Sequence, residues 1–247
     1  MPPFTAAIVS VPILLAFDTA TEVCSVALAR GSRVVERAER VGQRHSELVL
    51  PMAQQLLADE GVALAQVDAI AFGAGPGSFT GLRIACGVAQ GAAYGIDRPV
   101  VPVVNLAALA LDANEHAPGA RRIAAAIDAR MNEVYWAVYD LHDGDCVELV
   151  PASLSSAADL PGHLTEFAPD TLAGEALDVF APALASVRVA HRVPQARAGA
   201  RTIAQLAQRA LARGAGVAPA LAMPVYVRDR VALTIDERNA VRAAPVA

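Results

Sequence analysis

The stretch ILLAFDTATEVCSVALARGSRVVERAER, residues 13–40, decides the fold class. Ile13–Phe17 is a short apolar run closed by Asp18-Thr19-Ala20-Thr21-Glu22. Val23–Ala29 follows at once, with Cys24, Val26 and Leu28 alternating against Ser25, Ala27 and Ala29, the period of two that a strand demands. Gly31-Ser32 punctuates its end, and Arg33–Arg40, with Val34 and Val35 flanked by charge, predicts a third strand. Two antiparallel hairpins in succession make a meander, which is not the βαβ opening of a Rossmann domain.

Working outward, the same order returns in the second half. Ile123–Ile127 is an apolar strand ending in Asp128, the turn Ala129–Asn132 follows, and Glu133–Tyr139 is a further strand. An internal echo of this kind predicts two related α/β halves, 1–114 and 115–247. Between them, Leu48, Leu50, Met52, Leu56 and Leu57 trace a helix from about Ser46 to Asp59, stopped by Gly61. Pro51 inside that pattern implies a kink or a start only near Leu50. Val67–Phe72 reads as a buried strand, Phe79 to Tyr94 as a helix of small residues, and Val100–Val104 as a strand. Asn105 then caps a helix to about Ala113. Later, Thr171–Ala173 reads as a strand and Arg201–Arg213 as a helix with Ile203, Leu206, Ala207, Ala210 and Leu211 on one stripe. Pro224–Val227 reads as a docking segment, and the last dozen residues as a loose tail.

Bulk properties narrow the function classes. Of 247 residues, 55% are apolar and 18% charged, enough to build a core and to exclude a disordered chain. The net charge of −5 and the scattered arginines disfavour direct, tight binding of a phosphate backbone. Cys24, Cys86 and Cys146 follow no metal-ligand or redox spacing and read as buried thiols. Residues 8–17 are apolar but lack a basic leader and contain Pro12, so no signal peptide is expected, and no run is long enough for a membrane span. A cytoplasmic protein with a short leader is the expectation.

Two constellations could carry chemistry. The hairpin tip places Asp18 and Thr19 where backbone N–H groups could cradle phosphate and the carboxylate hold a metal; equally, both could serve their own turn. The segment FGAGPGSFTGLR, residues 72–83, is neither a Walker loop nor G-x-G-x-x-G, yet its glycines open onto a helix N-terminus that favours anions. The following helix carries Gly81, Gly87 and Gly91 with Ala85, Ala89 and Ala92, a thin face suited either to the core or to a partner.

The run GAGPGSFTGLRIACGVAQGAAYG, with AFDTATEVCSVAL, RHSELVLPM and IDARMNEVYWAVYD, resembles the bacterial TsaB family over roughly residues 12 to 230. That family is similar to TsaD and Kae1, which transfer a threonylcarbamoyl group to an adenosine of tRNA. The resemblance implies the actin/Hsp70/sugar-kinase fold, two ribonuclease-H-like domains each opening with a β-meander. Two departures from the catalytic relatives stand out. Their H-x-x-x-H metal pair is reduced to His45, with Val49 at the second place. Their glycine-rich loop of the second domain reads Asp128-Ala129-Arg130-Met131-Asn132, and the adenosine-side motif is reduced to Leu172-Ala173-Gly174-Glu175-Ala176.

The resemblance therefore implies a non-catalytic subunit with no catalytic residue and no metal site of its own. No cofactor is expected to bind tightly to this chain, ATP and magnesium belonging to the assembled complex. The implied partners are a TsaD-like transferase and a TsaE-like ATPase, with a homodimer when they are absent and tRNA met only through the complex. The implied interface is His45, Leu48, Met52, Leu56, Gly81, Arg83, Gly87 and Gly91. The implied vestige of a nucleotide site is Asp18, Thr19, Gly75, Gly77, Asp128 and Gly174. Two rivals remain: an active ATP- or metal-dependent transferase or peptidase of the same fold, with Asp18, Thr19 and Asp128 around a nucleotide-bound metal, and a free-standing homodimeric interaction protein.

Overall fold

Large and small side chains alternate along the opening strands, and that alternation builds a three-layer half. The computed structural model describes residues 11–142 and 145–228. Strands β1 (Ile13–Asp18), β2 (Val23–Arg30) and β3 (Arg33–Arg40) form the antiparallel meander, with Leu15 opposite Leu28 and Ala27 opposite Glu36. Parallel strands β4 (Ala69–Gly75) and β5 (Val100–Val104) complete the sheet in the order β3-β2-β1-β4-β5. Leu15, Phe17, Cys24, Val26 and Leu28 point to one face, where helices α1 (His45–Asp59) and α2 (Phe79–Gly95) cover them. Leu14, Ala16, Ala27, Ala29, Ala69 and Ala71 point to the other, a low surface that lets a helix approach closely.

The second half repeats the plan. After α3 (Asn105–His116), strands β6 (Arg122–Asp128), β7 (Glu133–His142) and β8 (Asp145–Ser156) form a meander, and β9 (Thr171–Ala173) and β10 (His191–Val193) add in parallel. The order β8-β7-β6-β9-β10 is that of the first sheet. Short helices α4 (Leu160–Thr165), α5 (Ala176–Val179) and α6 (Ala181–Leu184) cover one face, on Val134, Trp136 and Val138.

The closing helix of each half packs on the other half's sheet. Leu106, Leu109, Ala110 and Ala113 of α3 lie on Ile123, Ala125, Ala137 and Tyr139 of the second sheet. Ala200, Ile203, Ala204 and Ala207 of α7 (Ala200–Ala212) lie on the alanine face of the first. The expected boundary at residue 114 therefore falls inside α3, and the second half lends α7 to the first sheet.

Several local expectations are corrected. The first helix begins at His45, upstream of Pro51, which sits within it. Asn105 is the first helical residue rather than a cap, and its side chain bonds elsewhere. Strand β4 runs on to Gly75, with a register shift between Gly73 and Gly75. Cys24 and Cys86 are buried and Cys146 half-buried, all as free thiols. The expected leader and loose tail lie outside the described residues. No helix among the described residues is long and apolar enough to cross a membrane.

Candidate functional site

The C-terminal ends of β1 and β4 meet the N-terminus of α3, and there the chain ties a knot around Asp18. The carboxyl group is 1% exposed; its Oδ1 accepts from Asn105 Nδ2 at 2.9 Å and from the Ala20 N–H at 3.4 Å. Asn105, also buried, turns its own Oδ1 to the Gly75 N–H at 2.7 Å. Burial pushes the Asp18 carboxyl up to about 6, with the Asn105 bond pulling against that rise. Thr19 is fully buried, and its hydroxyl donates to the Gly81 carbonyl at 2.6 Å. Asn105 is the central member of the knot, and the sequence offered it only as a helix cap.

The glycines expected to bare the backbone to phosphate bare it instead to the chain itself. A Cβ on Gly73 would stand 2.4 Å from Asp18 Oδ1; one on Gly77 would meet Ala20, and one on Gly81 would be 1.9 Å from the Thr19 carbonyl oxygen. On Gly75, whose φ is +125°, it would be 2.6 Å from the Val225 carbonyl. On Gly174 it would be 2.2 Å from the Ala126 carbonyl. Three N–H groups of the loop are spent as well: Gly75 on Asn105, Ser78 on the Ala20 carbonyl, and Gly81 on the Ser78 hydroxyl. The hollows beside these glycines are thus filled by the chain's own atoms.

Asp128 serves its own turn. It accepts from the Arg130 N–H at 2.8 Å and from the Arg130 guanidinium at 3.1 Å. Arg130, Met131 and Asn132 all carry positive φ, +64°, +57° and +59°, without a glycine among them. Between the halves lies a small cleft with about 30 Å³ of room, lined by Thr21, Pro76, Asn105, Ile127, Glu175 and Arg197 among others. Among the described residues, no three His, Cys, Asp or Glu side chains gather as a metal would require. His45 is buried at the start of α1, its Nε2 without a hydrogen-bond partner.

The expected interface residues divide. Leu56, 1% exposed, and His45 are turned inward by α1 with Val49 and Ala53, and Gly81 on α2 is pinned against the hairpin, so these three lie in the interior of the chain. Leu48 and Met52 on α1 are half-buried, and Arg83, Gly87 and Gly91 on α2 are exposed. Nothing stands within 4 Å of a Cβ built on Gly87 or Gly91. Ala85 and Ala89 are fully buried, so the small residues of α2 divide, alanine inward and glycine outward.

Against this geometry, comparison with known proteins is decisive. The family model described as TsaD, tRNA N6-adenosine threonylcarbamoyltransferase, matches residues 37–233. Its match spans most of the chain. The chain belongs to the TsaD/TsaB family. A TsaB protein of Haemophilus influenzae, named for tRNA threonylcarbamoyladenosine biosynthesis, is 52% identical over 123 residues, 50% of this chain and 52% of the relative. The Escherichia coli TsaB is 48% identical over 126 residues, 51% of this chain and 54% of its own length. The chain thus spans about half the length of these curated relatives. A solved structure from Pseudomonas aeruginosa, described as similar to the peptidase YeaZ, superposes with a TM-score of 0.81 at 41% identity, covering 88% of this chain and all of the other. A second, named YeaZ from the same organism, gives 0.76 at 39% identity, covering 87% and 99%. These matches carry the family's actin-like architecture, which the paired meanders already display.

Proposed function

We propose that this chain is a non-catalytic subunit in the formation of threonylcarbamoyladenosine on tRNA, docking a TsaD-like transferase on the outer face of α1 and α2. The observation that carries it is the open face at Gly87 and Gly91, with nothing within 4 Å of a Cβ built there, on a helix that packs beside α1 and its half-buried Leu48 and Met52. Glycine in the middle of a helix costs about 0.5–1 kcal/mol relative to alanine, and that cost is offset when a second helix seats against the bare backbone. The chain's own glycine loop speaks against tight nucleotide binding: Asp18, Thr19, Gly75, Gly77 and Gly174 are consumed in packing, so ATP and magnesium act in the complex and on the partner. A TsaE-like ATPase joins that complex, and tRNA is met through it, in the cytoplasm. Without the transferase the same face pairs with a second copy.

The test is reconstitution. Formation of the modified nucleoside by the TsaD-like and TsaE-like proteins of the same genome is measured on unmodified tRNA, with an activated threonylcarbamoyl donor and ATP supplied, with and without this chain. The proposal predicts that product forms only, or at least about tenfold faster, when the chain is present. Equal rates without it would refute the role, and turnover by the chain with ATP alone would restore the enzyme reading.

A further inference from the structure

After α7 the chain turns back over the molecule. Val217 pairs with Val100 at the edge of the first sheet, each N–H donating to the other's carbonyl at 2.9 Å. Residues 222–228 then run along the flank of α2. The Ala222 carbonyl accepts from Cys86 Sγ at 3.4 Å and from Gln90 Nε2 at 2.9 Å. The Val225 N–H donates to the Ala74 carbonyl at 2.7 Å, while its own carbonyl lies over Gly75. Tyr226 accepts from Arg83 Nε at 3.2 Å, and its ring lies 5.7 Å from that of Phe79, over which the Arg83 guanidinium is stacked. Three residues after Val225, the chain has reached the other half. Arg228 Nη2 donates to the Ala129 carbonyl at 2.8 Å and to the Glu133 carboxylate at 2.7 Å, and Nη1 lies 3.2 Å from Met131 Sδ.

We propose that residues 222–228 are a clasp that fixes the opening between the two halves, anchored on the glycine loop at one end and on the β6–β7 turn at the other. The halves share the packing of α3 and α7, so any rotation about those helices must change the distance between the Gly75 and Ala129 sides. An extended chain spans at most about 3.6 Å per residue, so the three-residue step from Val225 to Arg228 limits how far its two anchors can separate. Opening therefore requires breaking either the Val225–Ala74 bond or the Arg228 bonds. The latter are charge-assisted and formed by a guanidinium whose side chain is 13% exposed, which makes them stronger than a surface pair. The same guanidinium binds both sides of a turn with three consecutive left-handed residues, a backbone costing about 1 kcal/mol or more at each. Gly75 is required for the clasp as well as for its own conformation, since any Cβ there would collide with the Val225 carbonyl.

The test uses the full chain with fluorophores on unnatural residues at Gln54 and Glu166, both exposed and in opposite halves. Arg228→Ala, which removes one anchor, should broaden and lengthen the inter-half distance distribution. It should also raise amide exchange about tenfold in residues 129–133 and 222–227. Gly75→Ala, which displaces the segment from the other anchor, should reproduce the distance change, and thermal melts establish that each variant is folded. A wild-type distance distribution in both folded variants would overturn the clasp, with or without faster exchange of the segment, because a surface strand that holds nothing behaves in that way.

Discussion

Asp18 is a buried carboxyl group with one strong partner, and its titration follows from that burial. Its ordinary value of 3.8 rises to about 6 in the folded chain. A raised carboxyl favours folding in its protonated form. That contribution is complete below about pH 4 and is lost as pH rises through 6, costing on the order of 3 kcal/mol above it. Asp18→Asn keeps an acceptor for Asn105 and has no charge to desolvate, so the variant should gain stability relative to the parent as pH rises from about 4 to about 7. Urea unfolding at both ends of that window checks this, and a difference that does not change with pH contradicts it. At this scale the sequence showed the actor and hid the partner. Asp18 and Thr19 are visible at a hairpin tip, but Asn105 lies 87 positions away and reads locally as a helix opener. Asp128 reads in the sequence as part of a vestigial nucleotide site, and its bonds to Arg130 within its own turn could not be seen there.

Within α2, Gly81 and Gly87 do different work. Gly81→Ala would drive a methyl group to 1.9 Å from the Thr19 carbonyl, and the hairpin backbone has no flexible end to yield. The expected loss is about 3 kcal/mol or more in chemical denaturation. Gly87→Ala meets nothing and should raise stability by about 0.5–1 kcal/mol. Equal effects at the two positions would mean that the helix does not sit as described. The helix itself was legible as a run of small residues from Phe79 to Tyr94, and Ser78, whose hydroxyl accepts from the Gly81 N–H, caps its start. Its division into a buried alanine face and an open glycine face was not, since both residue types are small and only packing tells them apart. Strand β8 escaped notice because Pro151 and a run of serines interrupt its alternation, which an edge strand tolerates. In α1, the periodicity placed Leu56 and Leu48 together, although Leu56 faces the core and Leu48 lies at its margin.

At the scale of the whole molecule, two sheets of one design are joined by exchanged helices. The N-terminus of α7 is held by the first half: Ser25 Oγ accepts from the Ala200 N–H and Glu36 from the Arg201 N–H, both at 2.9 Å. Arg201 also bonds Asp112 at 2.8 Å and Glu115, both on α3. Arg201→Ala leaves Asp112 without its guanidinium in a largely buried place, and should lower stability by about 1–2 kcal/mol, more than the exposed pair Arg33–Glu60 is worth. A melt of each variant decides between them. The repeated meander predicted two halves from pattern alone, but the exchange of α3 and α7 was invisible, since a helix's stripe shows that it is covered and not by which sheet. The account stands or falls on the α1–α2 face, and calorimetry with the TsaD-like protein of the same genome tests it most directly. The parent chain should bind with clear heat, while Gly87→Leu, folded and as stable as the parent, should lose at least about tenfold in affinity because its side chain holds the helices apart. Equal affinity for parent and variant would contradict the face assigned to the partner.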